Sequence, residues 1–528
     1  MAPGGETLNE TWDGFLNTQT QWSGSVAGTV SRTFDDNFRV TALAVNGQST
    51  AYAYDADGLL TQAGGLTLTR DAGNGRVTGT ALGTLTTART YDGFGALASL
   101  NAASSTTPLY QASYTRDADN RVTQMVETVN GIATNWQYGY DARGRLISVS
   151  ANGSPVSTYG YDANGNRVSV NGQTLATYNA DDQLTSYNGT PYTYASDGSL
   201  SGVGSTTYRY DALGHLLEVK TPAADITYTY DGLGRRVGKS INGTLVQGFL
   251  YANGINPIAQ LDGQGNVVAA FVYGTRPNVP DLMLKGGVTY RIISNQLGSP
   301  VEVINTGTGA IAEQITYDAW GNITSDSSPG FQPFGFAGGL YDADTGLVHF
   351  GARDYDPVTG RWTTRDPLSF GGGDANLYGY VLQDPVNLID LYGAFALPML
   401  NQGFVDFTAG FGDSLVKALT FGYGDLAATR QALGIDGANE CSAFYHSGAA
   451  SGAAYGVGLD LAALAYAPVA IASSSIESGR AALLAAALYT GQGGGELASY
   501  IAAQDAAAAL GQTIQYDVTT TTLWLSPK

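Results

Sequence analysis

Tyr138-Gly139-Tyr140-Asp141-Ala142-Arg143-Gly144-Arg145-Leu146-Ile147-Ser148-Val149-Ser150 decides the fold. Tyr138 and Tyr140 fall on one face, and Leu146, Ser148 and Ser150 on one face with Ile147 and Val149 opposite, the two-residue period of a β-strand. Between the two runs, Asp141 offers a side-chain acceptor to the backbone and Gly144 tolerates positive φ, which is the chemistry of a tight turn. Glycine and tyrosine density disfavours helix. The stretch reads as a β-hairpin.

Outward from it, the same signature recurs at Phe34-Asp35, Tyr54-Asp55, Tyr91-Asp92, Tyr161-Asp162, Tyr210-Asp211, Tyr230-Asp231 and Tyr317-Asp318, with degenerate copies at Arg70-Asp71, Arg116-Asp117, Tyr178-Asn179 and Tyr194-Ala195. Up to Asp231 the intervals are mostly near twenty residues, the mark of stacked units that bury their faces only against neighbours. Composition agrees. Among 528 residues, 71 are glycine and only 13% are charged, while 43% hydrophobic content excludes a disordered chain. A net charge of −20 argues against nucleic-acid binding by the surface as a whole, because that binding rests on neutralising phosphates. Cys441 is alone, so packing rather than disulfides must hold the fold. The opening Met-Ala-Pro-Gly-Gly-Glu has neither a basic nor an apolar leader region, which predicts export by another route or a chain that ends a longer protein.

The segments YDANGNRV (161–168), YDARGRL (140–146) and YDGLGRRV (230–237) resemble the YD repeats of the Rhs family, which includes the C components of insecticidal Tc toxins and the teneurins. The resemblance implies a mainly β fold: an antiparallel strip spiralling into a partial or complete hollow shell, followed by an Ala/Gly-rich helical segment. It divides the chain into a partial repeat (1–30), the YD strip (31–240), an irregular region (241–330), a repeat-associated core (331–394) and a variable C-terminal segment (395–528). It also implies a secreted or cell-surface bacterial protein. The expected partners are its own C-terminal segment, a secretion-system carrier and a cognate immunity protein.

The core resemblance rests on Gly338-Gly-Leu-Tyr341-Asp342-Ala-Asp344-Thr-Gly346-Leu, on Arg353-Asp-Tyr355-Asp356-Pro-Val-Thr-Gly360-Arg361, and on Asp366-Pro367, continued by Asp384-Pro385-Val-Asn387-Leu-Ile-Asp390. Two neighbouring carboxyls cannot both ionise easily, so such a pair suits acid–base hydrolysis of a peptide. In the family this core is an aspartic autoprotease, and Arg353 and Asp366 match its Arg and Asp thirteen residues apart. Asp342 is the chosen second carboxylate, with Asp344 as the alternative. Cleavage is expected between Ala394 and Phe395. Relatives end the core in Asp-Pro-x-Gly-Leu, whereas Leu391 and Ala394 stand here for the Pro and the Leu, predicting slowed or lost cleavage. Asp356 and Asp384 read as turn formers and His349 as a packed residue. No metal or cofactor is expected.

Beyond Ala394 alanine becomes frequent and tyrosine sparse. Helices are expected at 417–421 and 426–433, and a short strand around Asp517 and Leu523-Trp524-Leu525. Residues 447–472 form an apolar run suited to burial inside a shell, with membrane insertion as the alternative. Cys441 and His446 lack a third orienting residue. Three readings stand: a toxin-type shell that releases its C-terminal segment, a non-enzymatic surface or adhesion repeat protein, and a remnant without an active toxin.

Overall fold

The computed structural model describes residues 5–394, 397–398, 512–517 and 522–527, and the chain divides into two compact units, Met1–Leu400 and Asn401–Lys528. In the first unit each strand hydrogen-bonds antiparallel to its sequence neighbour, giving a 17-stranded sheet from Thr7–Asp13 to Gln173–Thr174 and a 16-stranded sheet from Ala176–Tyr178 to Ile323–Asp326. The second unit shows one hairpin, Gln512–Asp517 with Thr522–Pro527, where a short strand was expected. The expected helices and the run 447–472 lie outside the described residues.

One edge of the strip is made of Tyr-Asp turns and their degenerate copies, and the Tyr-Asp turns share one backbone pattern. In the deciding stretch, Asp141 Oδ1 accepts the N–H groups of Arg143 and Arg145 at 2.9 and 3.0 Å, while Oδ2 pairs with the Arg145 guanidinium at 2.6 Å. Gly144 sits at φ +82°, and its N–H donates to Asp141 O. The tyrosine is the stitch between units. Tyr161 Oη donates to Leu146 O, Tyr140 Oη to Val122 O and Tyr54 Oη to Val40 O, each reaching back past the previous turn. The turn arginine then stacks on the next tyrosine, with Arg145 Cζ 4.6 Å from the Tyr161 ring centroid and Arg39 Cζ 4.9 Å from that of Tyr54.

The strict two-residue alternation expected after Asp141 needs correction. A register shift falls between Gly139 and Tyr140, and it recurs between Thr33 and Phe34, Ala53 and Tyr54, and Thr229 and Tyr230. This bulge adds one residue to the outgoing strand, so Leu146 and Val149, three apart, both face the core. The 241–330 region, where the Tyr-Asp spelling lapses, keeps the same sheet. Asn295 Oδ1 accepts from Leu297 N and Ser299 N, both at 3.0 Å, doing with an amide oxygen what Asp141 does with a carboxylate.

The opposite edge is different. It turns through Asn46-Gly47, Asn130-Gly131, Asn152-Gly153, Asn171-Gly172, Asn188-Gly189 and Asn242-Gly243, with positive φ at both residues of each pair. Such mirror-image turns match the right-handed twist of the flanking strands.

The strip comes round upon itself. Trp22 Nε1 donates to Asp231 Oδ2, Tyr114 Oη donates to Gln296 Oε1, and Tyr159 packs edge-on against Trp320. Contact partners advance together along both laps, which is a spiral rather than a fold-back. Their separation falls from 209 residues to 182 and then to 320 − 159 = 161, so the lap tightens. The buried clusters between laps mix both sheets, as where Leu66 and Leu68 meet Val272 and Leu282.

The core, residues 331–394, carries a four-stranded sheet of Leu340–Asp342, Leu347–Phe350, Arg353–Asp356 and Arg361–Trp362. It is ringed by successive Tyr-Asp turns of the strip. Asn387 accepts from Val122 N, Arg361 binds Asn166 and Asp182, Tyr378 Oη donates to Gly198 O, Arg236 pairs with Asp354 at 2.8 Å, and Tyr355 Oη donates to Trp320 O. Trp362, Tyr355, Tyr380, Phe336 and Phe350 pack at its centre.

Candidate functional site

Arg353 opens a core strand directly opposite Phe350, and its side chain is almost fully buried. One of its terminal nitrogens, Nη2, lies 3.0 Å from Asp366 Oδ2 and 3.2 Å from Asp390 Oδ2. Its Nε donates to Gly393 O, and the guanidinium lies over the Trp362 ring at 4.2 Å, which fixes its plane. Asp390 Oδ1 accepts the Ala394 N–H at 3.0 Å. Arg353 thus gathers two carboxylates and the last peptides of the core around one cation. Its rigid fork allows several simultaneous bonds that a lysine would not hold in place.

The chain end is threaded closely. A Cβ on Gly393 (φ +65°) would lie 2.3 Å from Phe350 O and 2.8 Å from Arg353 N, so only glycine passes there. A Cβ on Gly372 would lie 2.6 Å from Asp366 Oδ2 and 2.9 Å from Ala394 O. These two oxygens are therefore within 2.6 + 2.9 = 5.5 Å of each other, a span that one water bridges. Burial raises the Asp366 carboxyl above its usual range, against the opposing pull of the Arg353 charge.

The structure brings together Arg353, Asp366 and Ala394, and does not bring Asp342 or Asp344 to them. Asp342 pairs with Leu347, at one end of the strand Leu347–Phe350 whose other end pairs Phe350 with Arg353. That is three residues, or about 10 Å along the strand. It is already engaged there, accepting from Tyr228 Oη at 2.7 Å and Lys239 Nζ at 2.6 Å, while Lys239 also contacts Asp344 at 2.5 Å. The carboxylate that joins Asp366 is Asp390, which the sequence reading quoted and did not select. Its signal was the interval to Ala394: each Tyr-Asp turn already has an Asp oxygen accepting the N–H four residues on. Phe395 lies outside the described residues.

Asp356 caps its turn by accepting from Val358 N and Thr359 Oγ1, and Asp384 is held by the Asn387 amide. His349 is buried with Nδ1 3.3 Å from Asp354 Oδ1, and burial lowers its pKa. Among the described residues no group of three His, Cys, Asp or Glu side chains is placed to hold a metal ion.

Teneurin-4 of Mus musculus is 31% identical over 244 residues, which are 44% of this chain and 9% of that protein. Teneurin-3 of Danio rerio is 30% identical over 306 residues, 53% of this chain and 11% of that protein. The tRNA3(Ser)-specific nuclease WapA of Bacillus spizizenii is 28% identical over 238 residues, 43% of this chain and 10% of that protein. Among solved structures, the TcdB2-TccC3-Cdc42 complex superposes with a TM-score of 0.55 at 18% identity, covering 70% of this chain and 22% of the other. The Photorhabdus luminescens Tc holotoxin pore gives 0.53 at 17%, covering 71% and 21%. The chain therefore spans about a tenth of these curated relatives and about a fifth of the solved chains. The Teneurin YD-shell profile matches residues 5–386, and the chain belongs to that family.

Proposed function

We propose that this is a toxin-type YD shell whose core cuts its own chain after Ala394 and so frees the C-terminal segment that the shell encloses. The observation that carries the reading is the convergence of Arg353, Asp366, Asp390 and the Ala394 carbonyl. Asp366 takes a proton from the attacking water, whose oxygen adds to the Ala394 carbonyl carbon. The same carboxyl then delivers the proton to the Phe395 nitrogen as the C–N bond breaks. Arg353 and Asp390 hold the Gly393 carbonyl and the Ala394 N–H, so the peptide is presented in one orientation. Enclosure is supported by the seating of the core across the ring of turns. A role outside the cell follows the same reading.

Denaturing electrophoresis of the full chain is expected to show two fragments, the smaller beginning at Phe395 on N-terminal sequencing. Asp366→Asn and Asp390→Asn are expected to leave one band, and Asp342→Asn, which touches Lys239 and Tyr228 instead, to leave cleavage intact. A wild-type chain that stays whole sinks the enzymatic reading. The non-enzymatic shell would then stand. It is favoured by Leu391, which occupies the position of the family's Pro and is buried in the core cluster with Trp362 and Tyr380.

A further inference from the structure

Hydrolysis consumes a water, and at the Arg353 cluster Arg353 and Asp390 are buried while Asp366 is partly exposed. A cavity of about 180 Å³ opens beside Asp366, several times the ~30 Å³ that one water occupies in the liquid. Its lining has two origins: Asp197 and residues 211–214 come from two successive strip turns, and Arg353, Asp366 and Pro367 come from the core. By contrast, the cleft lined by Gly254, Ala337 and His349 holds about 30 Å³ and touches neither Asp366 nor Asp390.

The two halves of the larger cavity are held together by close contact. Gly198 (φ +89°) lies so near the core that a Cβ there would be 2.5 Å from Arg365 Nε and 2.8 Å from Tyr378 Oη. Tyr378 Oη donates to Gly198 O at 2.7 Å across this seam. The next turn is fixed by Asp211, which accepts from Leu213 N and His215 N at 2.9 Å each. A core released from the ring would have no such cavity, only an open face.

We propose that this cavity is the water inlet of the cleavage site, and that its strip-side wall, the turns at 195–199 and 211–215, makes cleavage depend on the ring having closed round the core. The inference rests on the self-cleaving reading of Asp366. The step balances without another reactant: the water oxygen goes to the Ala394 carbonyl carbon and its hydrogens are shared between the new carboxyl and amine ends.

The test is pulse-chase of the full chain in cell-free translation, following the cleaved fraction with time. Ala212 is an exposed turn residue that lines the cavity from the strip side, so Ala212→Trp fills the inlet while leaving Arg353, Asp366 and Asp390 themselves unsubstituted. It is expected to slow cleavage at least about tenfold with an unchanged thermal unfolding midpoint, while Ala212→Ser, which leaves the cavity open beside Arg353 and Asp366, cleaves at the wild-type rate. Leu213→Trp, on the same rim and 76% exposed in its native form, is expected to act likewise and guards against a fold defect peculiar to the first variant. Wild-type cleavage with folded Ala212→Trp and Leu213→Trp cutting equally fast overturns the inlet and leaves self-cleavage standing. A wild-type chain that never cuts overturns both.

Discussion

The two edges of the strip solve the same problem, reversing a strand, with different chemistry. The Asn-Gly edge closes each hairpin locally: two residues at positive φ suffice, and the Asn152 and Asn171 amide oxygens accept the N–H groups of Asn135 and Thr158 in the adjoining strand. The Tyr-Asp edge uses a longer turn, a charge pair and a tyrosine borrowed from the next unit. Its extra atoms reach outward to the core, as Arg236 does to Asp354 and Asn166 to Arg361. The Asn-Gly turns are small and uncharged, whereas the Tyr-Asp turns carry polar or charged groups, and some of these reach buried places in the core.

That contrast predicts unequal sensitivity. Arg236→Met leaves Asp354 buried without its cation, and removing one partner of a buried pair typically costs about 3–5 kcal/mol. Denaturant titration should show that loss, with much of it recovered in Arg236→Met/Asp354→Leu. Asp354, held down to about 2 chiefly by Arg236 against its burial, is expected to titrate higher in the single variant, as an NMR pH titration would read.

Between the edges lie two mid-strand carboxyls that neither chemistry serves. Burial pushes Glu302 up to about 7 and Glu313 up to about 8, the latter beside Asp326 and with Lys285 opposing. Each group binds its proton more tightly in the folded chain than in the unfolded one. Their contribution is therefore fully present below pH about 4.5 and is lost as pH rises towards 7 to 8. A decline of a few kcal/mol across that window is expected in pH-resolved melting, and Glu302→Gln with Glu313→Gln should flatten it.

At the Asn-Gly edge, Gly153→Ala forces a side chain to φ +80° and is expected to cost about 1 kcal/mol, with no effect on the core. The smallest effect belongs to a Tyr-Asp turn whose arginine bonds only within the strip. Arg145→Ala loses a partly exposed ion pair and a stacking contact, about 0.5–1 kcal/mol in the same melts. If Arg145→Ala costs as much as Arg236→Met, docking is not what separates the edges.

Half of this contrast was legible in the sequence. Tyr140-Asp141 and its copies announced the hairpins because one local motif carries a whole turn. The Asn-Gly pairs are an equally strong local signal and stood unread beside them. Within 241–330 two of the departures are ones of spelling, since Asn295 and Asn253 replace Asp while offering the same acceptor to the backbone, while the connection from Val272 to Leu282 is a longer loop held by Asp281. The pairing of carboxylates was not legible. Asp342 is claimed by Lys239 from 103 residues earlier, and Asp390 reaches Arg353 from 37 residues later. Both facts belong to the docking of core on strip, which no local spacing encodes.

The tightening lap limits how such a protein can lengthen. Every strip turn from 122 to 322 that meets the core has a particular partner, from Asn387 at Val122 to Pro357 at Asn322. A duplicated hairpin inserted within that interval would shift all later partners by one place and leave the core with an unmatched contact. One inserted between Trp22 and Tyr114 would instead shift their partners on the facing lap, Asp231 and Gln296. Duplication within the interval is therefore constrained twice, by the core and by the facing lap, and the core acts as a gauge that fixes the copy number of the repeats nearest to it.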